Sequence, residues 1–257
     1  MKNLIGLKIY IASVIFALSA SSLRAETVNI AVAANFTETA KEIARVFKEK
    51  TGHEAILSFG ASGQFYTQIK QGAPYQVFLS ADEERPAKLV DEGLGVADGA
   101  FTYAIGKLVL WSKKPGFVKN EETLKRGDFI KIAIANPAAA PYGAAAIEVM
   151  KALNIYDALQ PKIVQGNSVS QAFQFVDTDN ADLGFIALSQ IPHQKEGSWW
   201  LVPNKYYRSI HQNAVLLKTG EQNAAAKAFI TFLKSSTARS IIQSSGYETN
   251  FVASKTK

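Results

Sequence analysis

Four stretches of this chain set small, uncharged hydrogen-bond donors where an apolar run gives way to a helical pattern. They are residues 29–37 (NIAVAANFT), 56–64 (ILSFGASGQ), 132–143 (IAIANPAAAPYG) and 163–171 (IVQGNSVSQ). The first turn of a helix leaves main-chain N–H groups unpaired and carries the positive end of the helix dipole. Several such starts aimed at one point bind an anion without lysine or arginine. Asn35 offers an amide NH2, Ser62 a hydroxyl, and Ala34, Tyr142 and Val169 their main-chain N–H groups.

Each junction also has a plainer explanation. Asn35, three residues before Glu38, fits a helix cap with a capping-box partner. Gly60 and Gly63 fit a turn that brings backbone close and takes up positive φ. Pro141 suits the first helical position and leaves the Tyr142 N–H pointing outward, with the ring in the core or in a cleft wall. Ser168 and Gln171 form a second capping box, which makes Val169 the first helical residue. Only convergence of the four junctions turns helix chemistry into a binding site.

Other chemistries lack their residues. His53, His193 and His211 stand far apart, without metal-ligand spacing. The stretch Gly60-Ala61-Ser62-Gly63 lacks the second spacer of a nucleophile elbow, and no P-loop or dinucleotide fingerprint occurs. Glu38 and Asp82 are the only acids near a junction, and both read as helix-start residues. The pairs Trp199-Trp200 and Tyr206-Tyr207 read as core and hinge packing rather than a base-stacking surface.

The elements that must position these residues follow a strand–helix rhythm. Residues 28–33, 55–59 and 76–80 read as strands, with helices over 37–50, 64–71 and 83–92. This alternation implies a parallel sheet with crossover helices. Residues 103–112 (YAIGKLVLWS) are long for one strand and read as a crossing into a second lobe. The rhythm restarts with strands at 131–135, 162–165 and 183–187 and helices at 142–153 and 168–177. A second long extended run, 210–218, crosses back, and helices at 221–234 and 237–244 close the chain. The expected architecture is α/β, with two mainly parallel sheets joined by two crossing strands. Lobe one is residues 26–106 plus 212–257, and lobe two is 107–211. All four junctions fall at carboxyl ends of strands, two in each lobe, where open parallel sheets hold ligands.

Composition narrows the setting. The chain has 257 residues, 28 basic and 22 acidic, for a net charge of +6. Residues 1–25 carry Lys2, Lys8 and Arg24 around an apolar stretch and read as a secretory signal peptide. Its removal leaves 232 residues, 25 of them basic, and a net charge of +3. The basic residues are scattered, which is no nucleic-acid signature. There is no cysteine, hence neither a disulfide nor a lipid-modified cysteine, and a free periplasmic monomer is expected.

The runs AVAANF, SFGASGQFYTQIKQGAPYQVFLSADE, FTYAIGKLVLWS, IANPAAAPYG, NSVSQA and ADLGFIALSQI resemble the periplasmic molybdate-binding proteins of ABC importers, the ModA family. The similarity runs from about Glu26 to Tyr247. It implies a type II periplasmic-binding-protein fold that holds a tetrahedral oxyanion, molybdate or tungstate, for delivery to a membrane permease. It implies no catalysis, no cofactor and no cation as a direct ligand. The family's anion contacts map onto Asn35, Ala34, Ser62, Tyr142 and Val169. Two positions depart from the pattern: Ala34 has no hydroxyl, and Ala187 stands where other members carry a tyrosine donor. Carriers of sulfate or ferric iron, and a phospho- or sulfo-ester hydrolase, are the alternatives. Iron would need tyrosines such as Tyr206 and Tyr207 in the cleft, and a hydrolase would need a base there.

Overall fold

The computed structural model of the chain describes residues 25–191 and 197–249. Residues 1–24 of the expected export segment, and His193, lie outside them. No helix among the described residues is long and apolar enough to cross a membrane.

The first lobe opens with β1 (Thr27–Ala33), α1 (Thr37–Thr51), β2 (Glu54–Gly60), α2 (Ser62–Lys70), β3 (Val77–Leu79), α3 (Glu84–Asp91) and β4 (Phe101–Gly106). α1 buries Ala40, Ile43 and Phe47, the one-face spacing legible in the sequence. The second lobe holds β5 (Leu108–Ser112), α4 (Glu122–Arg126), β6 (Ile132–Ala135), α5 (Pro141–Ala152), α6 (Tyr156–Leu159), β7 (Ile163–Gly166), α7 (Val169–Asp177), β8 (Leu183–Ala187) and β9 (Ser198–Leu201). β10 (Ile210–Leu216), α8 (Ala224–Leu233) and α9 (Ser236–Ser244) return to the first.

Two five-stranded sheets result, ordered β2-β1-β3-β10-β4 and β7-β6-β8-β5-β9. β1 runs parallel to β2 and β3, and β6 parallel to β7 and β8, while β10 and β5 run antiparallel to their neighbours. Each sheet is therefore mixed, with its parallel part made by strand–helix–strand crossovers. The 103–112 run is divided at Lys107: β4 belongs to the first sheet and β5 to the second. The 210–218 run differs from expectation. Ile210 and His211 already pair with Gly106 and Ile105 in the first sheet, so residues 202–209 make the return crossing and no strand does.

One further expectation is corrected. The Trp199-Trp200 pair is not interior: the two residues lie in β9, at the edge of the second sheet, and Trp199 is 48% exposed. A strand alternates its faces, so only one of two adjacent tryptophans can turn inward. Tyr207 does pack at the crossing, where its hydroxyl accepts the Leu108 N–H at 3.2 Å.

Each lobe has its own core. Phe36, Phe47, Tyr103 and Phe229 anchor the first, and Trp111, Tyr142, Met150 and Phe185 the second. The second core also takes in Ala33, Ala34, Ala61 and Ala81 of the first lobe, so the facing walls of the cleft are in contact.

Candidate oxyanion site

The four junctions meet. Ala34, Asn35, Ser62, Tyr142 and Val169 border one cavity of about 10 Å³, together with Ala33, Gly60, Ala61, Ala81, Ala140, Pro141 and Ser168. No charged side chain borders it. So small a space excludes the sugars, amino acids and peptides that need several hundred Å³.

Each residue arrives by a local rule. Ser62 is the first residue of α2, Tyr142 the second of α5 after Pro141, and Val169 the first of α7. Ala34 and Asn35 open a short 3-10 turn, Ala34–Phe36. All five N–H groups sit where a helix offers them no partner of its own. Ser62 Oγ accepts the Ala81 N–H at 2.9 Å, which leaves its own O–H to be donated. Gly63, next along, gives its N–H to Ala139 O of the other lobe at 2.8 Å. A Cβ on Gly63 would stand 3.0 Å from Ala139 Cα, so glycine serves close approach there. Neither Gly60 nor Gly63 has the positive φ the sequence suggested.

Two capping expectations change. Asn35 is not the cap of α1: Phe36 occupies that position, and Glu38 pairs with Lys41 at 2.7 Å on the surface. The Asn35 NH2 is committed inward, to Gln212 Oε1 at 2.9 Å and the Tyr247 hydroxyl at 3.0 Å. Asn35 thus fronts the cavity with its main chain, not its amide. Ser168 does cap α7, accepting the Gln171 N–H at 3.3 Å, but the Gln171 side chain accepts from Asn167 N–H instead of Ser168.

Behind the cavity lies a buried polar cluster. Gln212 Oε1 also accepts from the Tyr103 hydroxyl at 3.1 Å, and Gln212 Nε2 donates to the Tyr142 hydroxyl at 3.2 Å. The Tyr247 hydroxyl lies 2.8 Å from both Asn35 O and Ser189 Oγ. Burial pushes the phenols of Tyr103, Tyr142 and Tyr247 above the ordinary tyrosine value, so all three are neutral.

The lobes are shut over the cavity. Ser170 Oγ of the second lobe donates to Ala34 O at 3.1 Å, and Ser189 Oγ to Asn35 O at 2.9 Å. Arg85 of the first lobe, paired with Asp82, donates to Ala138 O at 3.0 Å.

The chain matches the family of bacterial extracellular solute-binding proteins over residues 28–248. It is 56% identical over 219 residues to the molybdate-binding protein ModA of Rhodobacter capsulatus, covering 85% of this chain and 87% of that one. It is 49% identical over 234 residues to ModA of Azotobacter vinelandii, covering 90% and 93%. The solved periplasmic molybdate-binding protein of Azotobacter vinelandii superposes with a TM-score of 0.85 at 43% identity, over 87% of this chain and 100% of that chain. The chain belongs to the ModA family.

The two positions expected from the sequence to depart from the family pattern stand differently toward the cavity. Ala34 brings only main chain to the cavity. Ala187 ends β8, gives its N–H to Gln190 Oε1 at 3.0 Å and does not border the cavity. The groups that other readings require are also elsewhere: Glu38, Asp82, Tyr206 and Tyr207 do not line it. Among the described residues no group of three or more His, Cys, Asp or Glu side chains is placed to hold a metal ion. Gln212, Tyr103, Ser189 and Tyr247 of the cluster were not singled out from the sequence. Gln212 gave no local signal, standing in the polar run His211-Gln212-Asn213.

Proposed function

We propose that the protein is the solute-capturing component of a molybdate importer, and that the anion sits between Ala34, Asn35, Ser62, Tyr142 and Val169. The ModA relationship carries the function, and the uncharged convergence of four helix starts supports the position. The protein binds and releases its solute unchanged and hands it to an ABC permease in the membrane. The lobes hinge at Lys107 and at residues 202–209, with the first made of residues 26–106 and the chain from 210 onward. The working form in this reading is a monomer. The extracellular family and the export segment expected at residues 1–25 support a periplasmic location.

The chemistry selects among tetrahedral anions. Hydrogen bonds to a charged group are worth about 1.5–3 kcal/mol each, and five N–H groups with one O–H are available. A site that only donates rejects an anion that retains a proton, because that proton would face another donor. Phosphate is therefore excluded, sulfate is too small to reach every donor, and tungstate binds like molybdate.

Thermal unfolding of the purified protein against a panel of oxyanions tests this. Molybdate and tungstate at about a thousandfold their dissociation constant should each stabilise by about 4.1 kcal/mol. Phosphate should leave the transition where it was. A shift with phosphate or ferric iron and none with molybdate would refute the proposal.

A further inference from the structure

Asn35 and Tyr142 belong to different lobes, and each faces two ways. Their main chains front the cavity, and their side chains run back into the same buried cluster. The centre of that cluster is Gln212, wholly buried in β10. Its oxygen accepts from Asn35 Nδ2 and from the Tyr103 hydroxyl. Two donors on Oε1 fix the amide in one orientation, and Nε2 is left to donate to the Tyr142 hydroxyl. The bonds to Asn35 and Tyr103 stay inside the first lobe. The bond to Tyr142 crosses to the second and exists only while the lobes are together.

The seat for that hydroxyl is shaped for it. Tyr142 is fully buried, and its hydroxyl rests against Gly106, the last residue of β4 before the chain crosses. A Cβ at Gly106 would overlap the hydroxyl and stand 2.7 Å from Gln212 Nε2. The first lobe thus ends, at its crossing point, in a socket for a side chain of the second.

We propose that Gln212 is a positioning residue for the closed cleft: it grips the Tyr142 hydroxyl from behind and so holds the Tyr142 N–H over the cavity that Asn35 and Ser62 border. Gln212 does not touch the anion. It raises the share of molecules whose two halves are together, and apparent affinity scales with that share. Association begins at the open cleft and is insensitive to the grip, so its loss shows in release.

This inference rests on molybdate being the ligand, and the experiment separates the two. Stopped-flow association and release of molybdate, and small-angle scattering with and without it, are compared for wild type, Tyr142→Phe and Tyr103→Phe. Each variant deletes one hydroxyl bonded to Gln212, but only the first deletes a bond between lobes. An orphaned buried amide N–H makes Tyr142→Phe release molybdate about tenfold faster, with association within about twofold of wild type. It also needs about tenfold more molybdate to reach the compact form. Tyr103→Phe lowers the melting temperature but keeps release within about twofold. In a Gln212→Leu background, Tyr142→Phe speeds release by less than about twofold more, because the shared bond is already gone. Equal release rates from the two phenylalanine variants, or full additivity with Gln212→Leu, would overturn the proposal. A wild type that neither binds molybdate nor compacts with it refutes the choice of ligand, and with it this inference.

Discussion

Two cavities adjoin in the cleft and share Ala81 and Pro141 as a common wall. The smaller is ringed by N–H and O–H groups. The larger, about 210 Å³, is bordered by Asp82, Glu83, Glu84, Glu148, Arg208 and His211. It has far more room, yet four carboxylates against one guanidinium make it repellent to a dianion. Its charges are also engaged. Asp82 pairs with Arg85, Glu84 with Lys88 at 2.6 Å, and Glu148 with Arg208 at 3.0 Å. The outer cavity is thus lined by paired ions and the inner one by dipoles. The contrast favours the inner cavity as the proposed place for the anion, on unpaired donors and not on volume or nearby cations.

The strongest way to break that contrast is to make the inner cavity resemble the outer one. Ser62→Asp keeps an acceptor for the Ala81 N–H but sets a carboxylate against the bound anion. Titration calorimetry should show molybdate affinity falling at least about a thousandfold, roughly 4 kcal/mol, while the fold melts cooperatively. Blocking closure without adding charge comes next. Gly106→Ala drives a methyl group into the Tyr142 hydroxyl, an overpacking worth about 1–3 kcal/mol, and should weaken binding up to about a hundredfold. Scattering should show the variant failing to compact at molybdate concentrations that close the wild type.

The pH response sharpens the contrast. The phenols behind the inner cavity have folded-state values raised by burial. Below about pH 10, the ordinary tyrosine value, both folded and unfolded chains hold these protons. Above it the unfolded chain loses them first, so stability falls as pH rises through the higher folded-state values. Chemical denaturation across that window should record the decline, while molybdate affinity stays flat through neutral pH. The smallest effect belongs to the outer cavity. Glu148→Gln breaks a pair whose arginine is exposed, and such pairs are worth about 0–1 kcal/mol. Molybdate affinity should change by less than about twofold.

Much of the site was legible because it is built from local rules. Pro141 before Tyr142, Ser168 before Val169 and a glycine on each side of Ala61-Ser62 each mark a helix start within a few residues. The strand rhythm that carries these starts to one edge of each sheet is equally local. What stayed hidden depends on distance along the chain. The partners of the Asn35 amide lie 177 and 212 residues away, and no local pattern distinguishes an asparagine that caps a helix from one that reaches inward. The return crossing was misplaced for a related reason: β10 reads as one extended run from Ile210 onward, and only its pairing with β4 tells which sheet it joins. Trp199 escaped because two adjacent tryptophans look like core until the strand's edge position is known.

The order in which the chain is made gives β10 a last consequence. It lies between β3 and β4, so the first sheet has a gap through its middle until Ile210–Leu216 is synthesised. Tyr247, which steadies Asn35, comes later still, and Glu248 is stitched to Ile105 beside it. A nascent chain therefore owns all of its proposed anion donors long before it can hold them still. Metal oxyanions in the compartment of synthesis meet only an unfinished trap, and capture is deferred until the final residues have arrived.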